Sequence, residues 1–117
     1  TSLGMRRYLS ATKFCTAVVG NSSSGIVEAP SFKVPTVNIG DRQKGRIQAA
    51  SILNCSPDTN TIRETIGHAL SPAFQESLTG TSNPYDQPGT CSTIVGLLEK
   101  MDIRRITKKT FHDLRFP

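Results

Sequence analysis

The chain has no tryptophan and only five phenylalanines and two tyrosines among 117 residues, so it lacks the aromatic platforms on which single-stranded nucleic acids stack. Cys15, Cys55 and Cys91 are odd in number and far apart, which excludes both a disulfide framework and a C-x-x-C metal knuckle. They are expected to be buried free thiols in a reducing compartment. No group of histidines, cysteines or paired carboxylates has ligand spacing, so no metal or other cofactor is expected. No run approaches the roughly 18 apolar residues of a membrane span, and no charged-then-apolar signal peptide opens the chain. A soluble, cytoplasmic protein without a membrane partner is expected.

What is present is a basic excess. Fourteen Lys and Arg face nine Asp and Glu, for a net charge of +5. Without stacking residues or zinc-finger spacing, that charge does not make a nucleic-acid partner the expectation. Two clusters carry half of the Lys and Arg. Arg104, Arg105, Lys108 and Lys109 read as a solvated helix face or a subunit contact. Arg42-Gln43-Lys44-Gly45-Arg46 instead follows a strand pattern in a Gly-bearing loop. The length fits one domain at most, with a modest core from 36% apolar residues.

Periodicity gives alternating helices and strands. Met5, Tyr8, Leu9 and Thr12 recur at helical spacing and predict an amphipathic helix over about residues 2–14. Residues 17–19 read as a short, fully buried strand. Ser22 or Ser23 caps the next helix, which cannot pass Ala29 because Pro30 restricts the residue before it. Thr36-Val37-Asn38-Ile39 is a strand between Pro35 and Gly40, and residues 51–55 are a third. Ile62, Ile66, Ala69 and Leu70 mark a helix with a capping box at Thr61 and Glu64, ended by Pro72. A short helix over residues 73–78, a loop over 80–89, the clearest helix from Thr90, and a last helical segment over 107–114 complete the pattern.

Strands separated by helices imply an α/β fold with right-handed crossovers and a parallel sheet covered on both faces. Ligands of such sheets bind beyond the strands' carboxyl ends. Both unusual loops, residues 21–25 and 40–46, leave from those ends. A turn of Ser22, Ser23, Ser24 and Gly25 opening a helix would present unpaired backbone N–H groups, a seat for phosphate. Glu28, one to two turns further in, could accept bonds from two neighbouring hydroxyls, as on a ribose, and Arg42 or Arg46 could reach a diphosphate. The plainer alternative reads Ser22 to Ser24 as a cap, Glu28 as a surface residue and Arg42 as a solvated charge. Three strands are few for an open sheet, so the chain is expected to continue a larger one.

The run Gly20-Asn21-Ser22-Ser23-Ser24-Gly25-Ile26-Val27-Glu28-Ala29-Pro30-Ser31-Phe32, with Pro35-Thr36-Val37-Asn38-Ile39-Gly40-Asp41-Arg42-Gln43-Lys44-Gly45-Arg46, resembles the hydrolysing branch of the UDP-N-acetylglucosamine 2-epimerase family. Ala69-Leu70-Ser71-Pro72-Ala73-Phe74 and Asn83-Pro84-Tyr85 extend the likeness more weakly. The resemblance implies a glycosyltransferase-B-like fold of two Rossmann-like halves. Residues 1–117 would be the later part of the C-terminal, UDP-binding half, without the N-terminal domain. It implies a UDP-sugar substrate, with Ser22 and Ser23 on the diphosphate, Gly25 permitting close backbone approach, Glu28 on the ribose, and Arg42 at the nucleotide. It assigns Arg46 no contact.

The chemistry so implied converts UDP-N-acetylglucosamine to N-acetylmannosamine and UDP, for sialic-acid-type sugars. No catalytic residue is expected in this segment: His68 and His112 lie in no motif that invites one, and Asp41 is expected to hold the basic loop's turn. The isolated segment is therefore expected to be inactive. A partial sheet exposes apolar edges, so a homo-oligomer is expected of the full-length protein. Another UDP-sugar enzyme of the same fold, either a sugar transferase or a diacetamido-sugar 2-epimerase, is the second reading, and a basic interaction module the third.

Overall fold

The structure, a computed structural model, describes residues 3–102. The chain divides into two compact units, Thr1–Asp86 and Gln87–Pro117. The first holds helix α1 (Gly4–Phe14), strand β1 (Val18–Gly20), helix α2 (Ser23–Val27), a 3-10 turn (Ala29–Phe32) and strand β2 (Thr36–Ile39). Strand β3 (Ile52–Cys55), helices α3 (Thr59–Ala69) and α4 (Pro72–Ser77) and a second 3-10 turn (Leu78–Gly80) follow. The second contains α5 (Thr90–Lys100). The helix expected over 107–114 and the basic cluster from Arg104 to Lys109 lie outside the described residues.

The three strands form a parallel sheet in the order β1-β2-β3, with Val19 opposite Val37 and Val37 opposite Leu53. Side chains alternate between faces along a strand, so Thr36 and Val37 point opposite ways. Val37 is fully buried with Cys55 and Ala69, and Ile39, Leu53, Ile62 and Ile66 pack around them. Helix α3 thus covers one face. Thr36 instead donates its hydroxyl to the carbonyl of Gly25 at 2.9 Å, which sets α2 on the other. This is the α/β parallel sheet read from the pattern, and it agrees with the Rossmann-like segment that the resemblance implied.

Four local expectations are corrected. Strand β1 is not fully buried: it is the sheet's edge, and Val19 is 48% exposed. An apolar run three residues long does not distinguish an edge strand from a central one. The connection from β2 to β3, residues 40–51, contains no helix; Gly40 and Gly45 take positive φ (77° and 83°) and coil it into turns. Helix α3 is capped not by Thr61 and Glu64 but by Asp58, which accepts from the Thr61 amide at 3.0 Å. Of the three free cysteines only Cys55 is buried; Cys15 is half-buried and Cys91 exposed.

Pro30 acts as expected. It enters a 3-10 turn directly after α2, and Lys33 ends that turn in the left-handed region, with its amide reaching Pro30. Within α1, Tyr8 and Leu9 are half-buried and Thr12 buried, but Met5 stays 76% exposed. In the second unit, Ile94, Val95, Leu97 and Leu98 on α5 are all exposed.

Candidate functional site

The carboxyl ends of β1 and β2 release two loops side by side, and one carbonyl joins them. Asn21 begins the serine turn, and its backbone oxygen accepts from Gln43 Nε2 at 2.8 Å and from Arg42 Nη1 at 3.3 Å. Gln43 is buried whereas Asn21 and Arg42 are exposed, so the amide is the inner tie and the guanidinium the outer one. The Arg42 loop is itself braced: Gly40 donates to the Cys55 carbonyl at 2.8 Å, Lys44 to Asp41 at 2.8 Å, and Arg46 to Gln43 at 3.2 Å. Asp41 thus takes part in the turn through its backbone carbonyl, as its place in the loop predicted.

Ser22 caps α2. Its hydroxyl accepts from the Ser24 amide at 3.3 Å and its carbonyl from the Gly25 amide at 3.2 Å. The expected row of unpaired N–H groups is therefore corrected: two of them are engaged by Ser22. An anion seated here would have to draw the Ser22 hydroxyl away from its cap. Helix α2 spans five residues, so its dipole adds little. Ser22 and Ser23 are both exposed at the mouth of the turn.

Gly25 has a packing role beside the close backbone approach that the resemblance implies. It is buried, and a Cβ built on it would stand 2.7 Å from Thr36 Cγ2. That contact is with strand β2. Glu28 is half-buried at the far end of α2, and its carboxylate accepts from the Ser24 hydroxyl, whose oxygen is also bonded to that of Tyr8. A Tyr8, Ser24, Glu28 chain so orients the carboxylate from α1. The part of Tyr8 in this chain was missed, because Tyr8 counted only toward an apolar stripe, and Ser24 was read only as part of the serine turn.

Beside the Arg42 loop a cleft of about 480 Å³ opens between Lys44, Arg46, Asn38 and Asn54. Asn38 donates to Asn54 Oδ1 at 2.8 Å, and Asn54 to Gln48 Oε1 at 2.8 Å. These amides satisfy one another and give the cleft a polar floor. His68 lies on α3 with its ring edge-on to Phe74, centroids 4.9 Å apart, among residues that contribute nothing to the loops. His112 lies outside the described residues. Among the described residues no three His, Cys, Asp or Glu gather in a metal-binding group, and no helix is long and apolar enough to cross a membrane.

The structure thus brings Ser22, Ser23 and Arg42 onto two adjoining loops, with Glu28 at the far end of α2 and Gly25 packed against β2. Known proteins carry the same segment. A polysialic acid biosynthesis protein P7 from Escherichia coli is 35% identical over 112 residues, 96% of this chain and 28% of that protein. A GDP/UDP-N,N'-diacetylbacillosamine 2-epimerase (hydrolyzing) from Campylobacter jejuni is 39% identical over 114 residues, 97% of this chain and 29% of its own length. A UDP-N-acetylglucosamine 2-epimerase from Neisseria meningitidis serogroup B is 37% identical over 70 residues, 60% of this chain and 19% of that protein. The chain spans less than a third of the length of these relatives. Residues 1–99 match the family profile described as UDP-N-acetylglucosamine 2-epimerase, and the chain belongs to that family.

Proposed function

We propose that this chain is the UDP-binding part of a hydrolysing 2-epimerase of glycosyltransferase-B-like architecture, acting on UDP-N-acetylglucosamine to give N-acetylmannosamine and UDP. The observation that carries this reading is the shared Asn21 carbonyl, which holds the Arg42 loop against the Ser22-Ser23 turn at the sheet's carboxyl edge. In this reading Ser22 and Ser23 turn their hydroxyls to the diphosphate, Arg42 offsets its charge, and Glu28 takes the ribose hydroxyls.

The residues divide the work of leaving-group departure. As the anomeric bond breaks, negative charge grows on the diphosphate, and donors already fixed around it stabilise that state more than the ground state. Arg42 gives up only a 3.3 Å bond to Asn21 when it swings to the phosphate, while Gln43 keeps the loops together. Removal and return of the C2 proton require an acid or base near the sugar. This segment is proposed to supply none, so the cleft's other half would carry them and the isolated chain would not turn over.

The test is to incubate a full-length protein carrying this segment with UDP-N-acetylglucosamine and identify the products. N-acetylmannosamine with UDP supports the reading; a nucleotide-linked epimer would place the protein in the non-hydrolysing class. The 39% identity to the diacetylbacillosamine enzyme favours a second reading, a diacetamido-sugar substrate, and a parallel assay with that sugar nucleotide separates the two.

A further inference from the structure

Residues 83–86 form a strap that touches both halves of the site from behind. Asn83 is buried, and its amide nitrogen donates to the Val27 carbonyl at 2.8 Å and to Ser31 Oγ at 2.7 Å. Val27 is the last residue of α2 and immediately precedes Glu28. Carbonyls in the last turn of a helix have no partner within it, so Asn83 supplies one from 56 residues away. Its own oxygen accepts from the Tyr85 amide at 3.0 Å, and the Asp86 amide closes the turn on the Asn83 carbonyl at 3.0 Å. Every hydrogen-bonding group of the Asn83 side chain is thereby committed.

That turn aims Tyr85 at the other loop. Its hydroxyl donates to the Ile47 carbonyl at 2.9 Å, one residue beyond Arg46. A pocket of about 240 Å³ is lined by Glu28 together with Asn83, Tyr85 and Asp86 of the strap. We infer that Asn83 and Tyr85 are positioning residues for the nucleotide site: Asn83 fixes the end of α2 that bears Glu28, and Tyr85 fixes the loop that bears Arg42. Neither touches the ligand. This inference rests on the uridine diphosphate reading above.

The experiment is a double-mutant cycle on a full-length protein carrying this segment, with UDP affinity measured by titration calorimetry and unfolding midpoints recorded without ligand. Tyr85→Phe removes one hydroxyl from a ring that is 40% exposed, so it should lower the midpoint only slightly. It should weaken UDP about three- to tenfold, the worth of one hydrogen bond. In an Arg42→Ala background Tyr85→Phe should cost nothing further, because the group it positions is gone. Asn83→Asp, which loses both donors and keeps the acceptor, should likewise weaken UDP in the parent but not beside Glu28→Ala. Equal losses in both backgrounds, or no loss in the parent while Arg42→Ala still weakens UDP, would overturn the strap and leave the nucleotide site standing. If neither Arg42→Ala nor Glu28→Ala alters UDP affinity, the nucleotide reading itself fails and the strap's role with it.

Discussion

Gln43 and Asn21 are joined across the sheet's edge by a single amide-to-carbonyl bond of 2.8 Å, made by a side chain only 3% exposed. The Gln43 Oε1 atom has no partner among the described residues, so the residue bears the cost of a buried acceptor to make that bond. Gln43→Ala removes the tie and the orphan together, and also leaves a void. We expect a loss of about 1 kcal/mol or more in urea unfolding. UDP affinity should fall as well, since Arg42 alone then holds the loops. An unchanged Kd would show that the loops need no tie.

Gly25 is expected to tolerate no side chain. Its Cβ would meet Thr36 Cγ2 at 2.7 Å, and Thr36 is 2% exposed with its hydroxyl bound to the Gly25 carbonyl. Gly25→Ala should therefore cost about 1–3 kcal/mol through overpacking. Thr36→Ser deletes the offending methyl and keeps the hydroxyl, so the pair Gly25→Ala with Thr36→Ser should recover most of that loss. Additive losses in the double variant would show that the strain arises elsewhere.

The pattern of these results follows what a sequence can express. Strand β2 was legible to the residue because Pro35 and Gly40 punctuate Thr36–Ile39 on both sides. The adjacency of the two loops followed from parallel topology, since both leave strands at their carboxyl ends. The edge position of β1 was not legible, because it depends on which strand follows in space. Nor were the link from Tyr8 to Ser24, 16 residues apart, or the Asn83 brace on Val27, 56 residues away. Gly25 was singled out by type, but its contact with Thr36 was not legible, since a glycine can be required by packing as readily as by a ligand.

The Tyr8 hydroxyl offers a direct test of how Glu28 is oriented. It shares the Ser24 hydroxyl that in turn donates to the Glu28 carboxylate. Tyr8→Phe keeps the ring that packs on the α2 side and removes only the polar link. We expect UDP to bind about two- to tenfold more weakly, as for the loss of one hydrogen bond. Uridine, which keeps the ribose but lacks the diphosphate, should suffer the same proportional loss. A loss confined to UDP would instead place Tyr8's effect on the phosphate turn.

Asp58 ties the stability of α3 to pH. The Ser56 hydroxyl, followed by the Thr61 side chain and backbone, holds its carboxyl down to about 2 from the usual 3.8. A depressed folded-state value means the charged form is favoured by folding. Its stabilising effect is complete above the unfolded value of 3.8 and is lost as pH falls through about 2. Asp58→Asn preserves an N-cap acceptor without a titrating proton. The two proteins' unfolding midpoints should therefore run parallel at neutral pH, and that of Asp58→Asn should decline less between about pH 4 and pH 2. Asp58→Ala should be the least stable of the three at pH 7, since it lacks any acceptor for the Thr61 amide. Identical acid profiles for the parent and Asp58→Asn would remove Asp58 from the acid response and leave it only the geometric part of the cap.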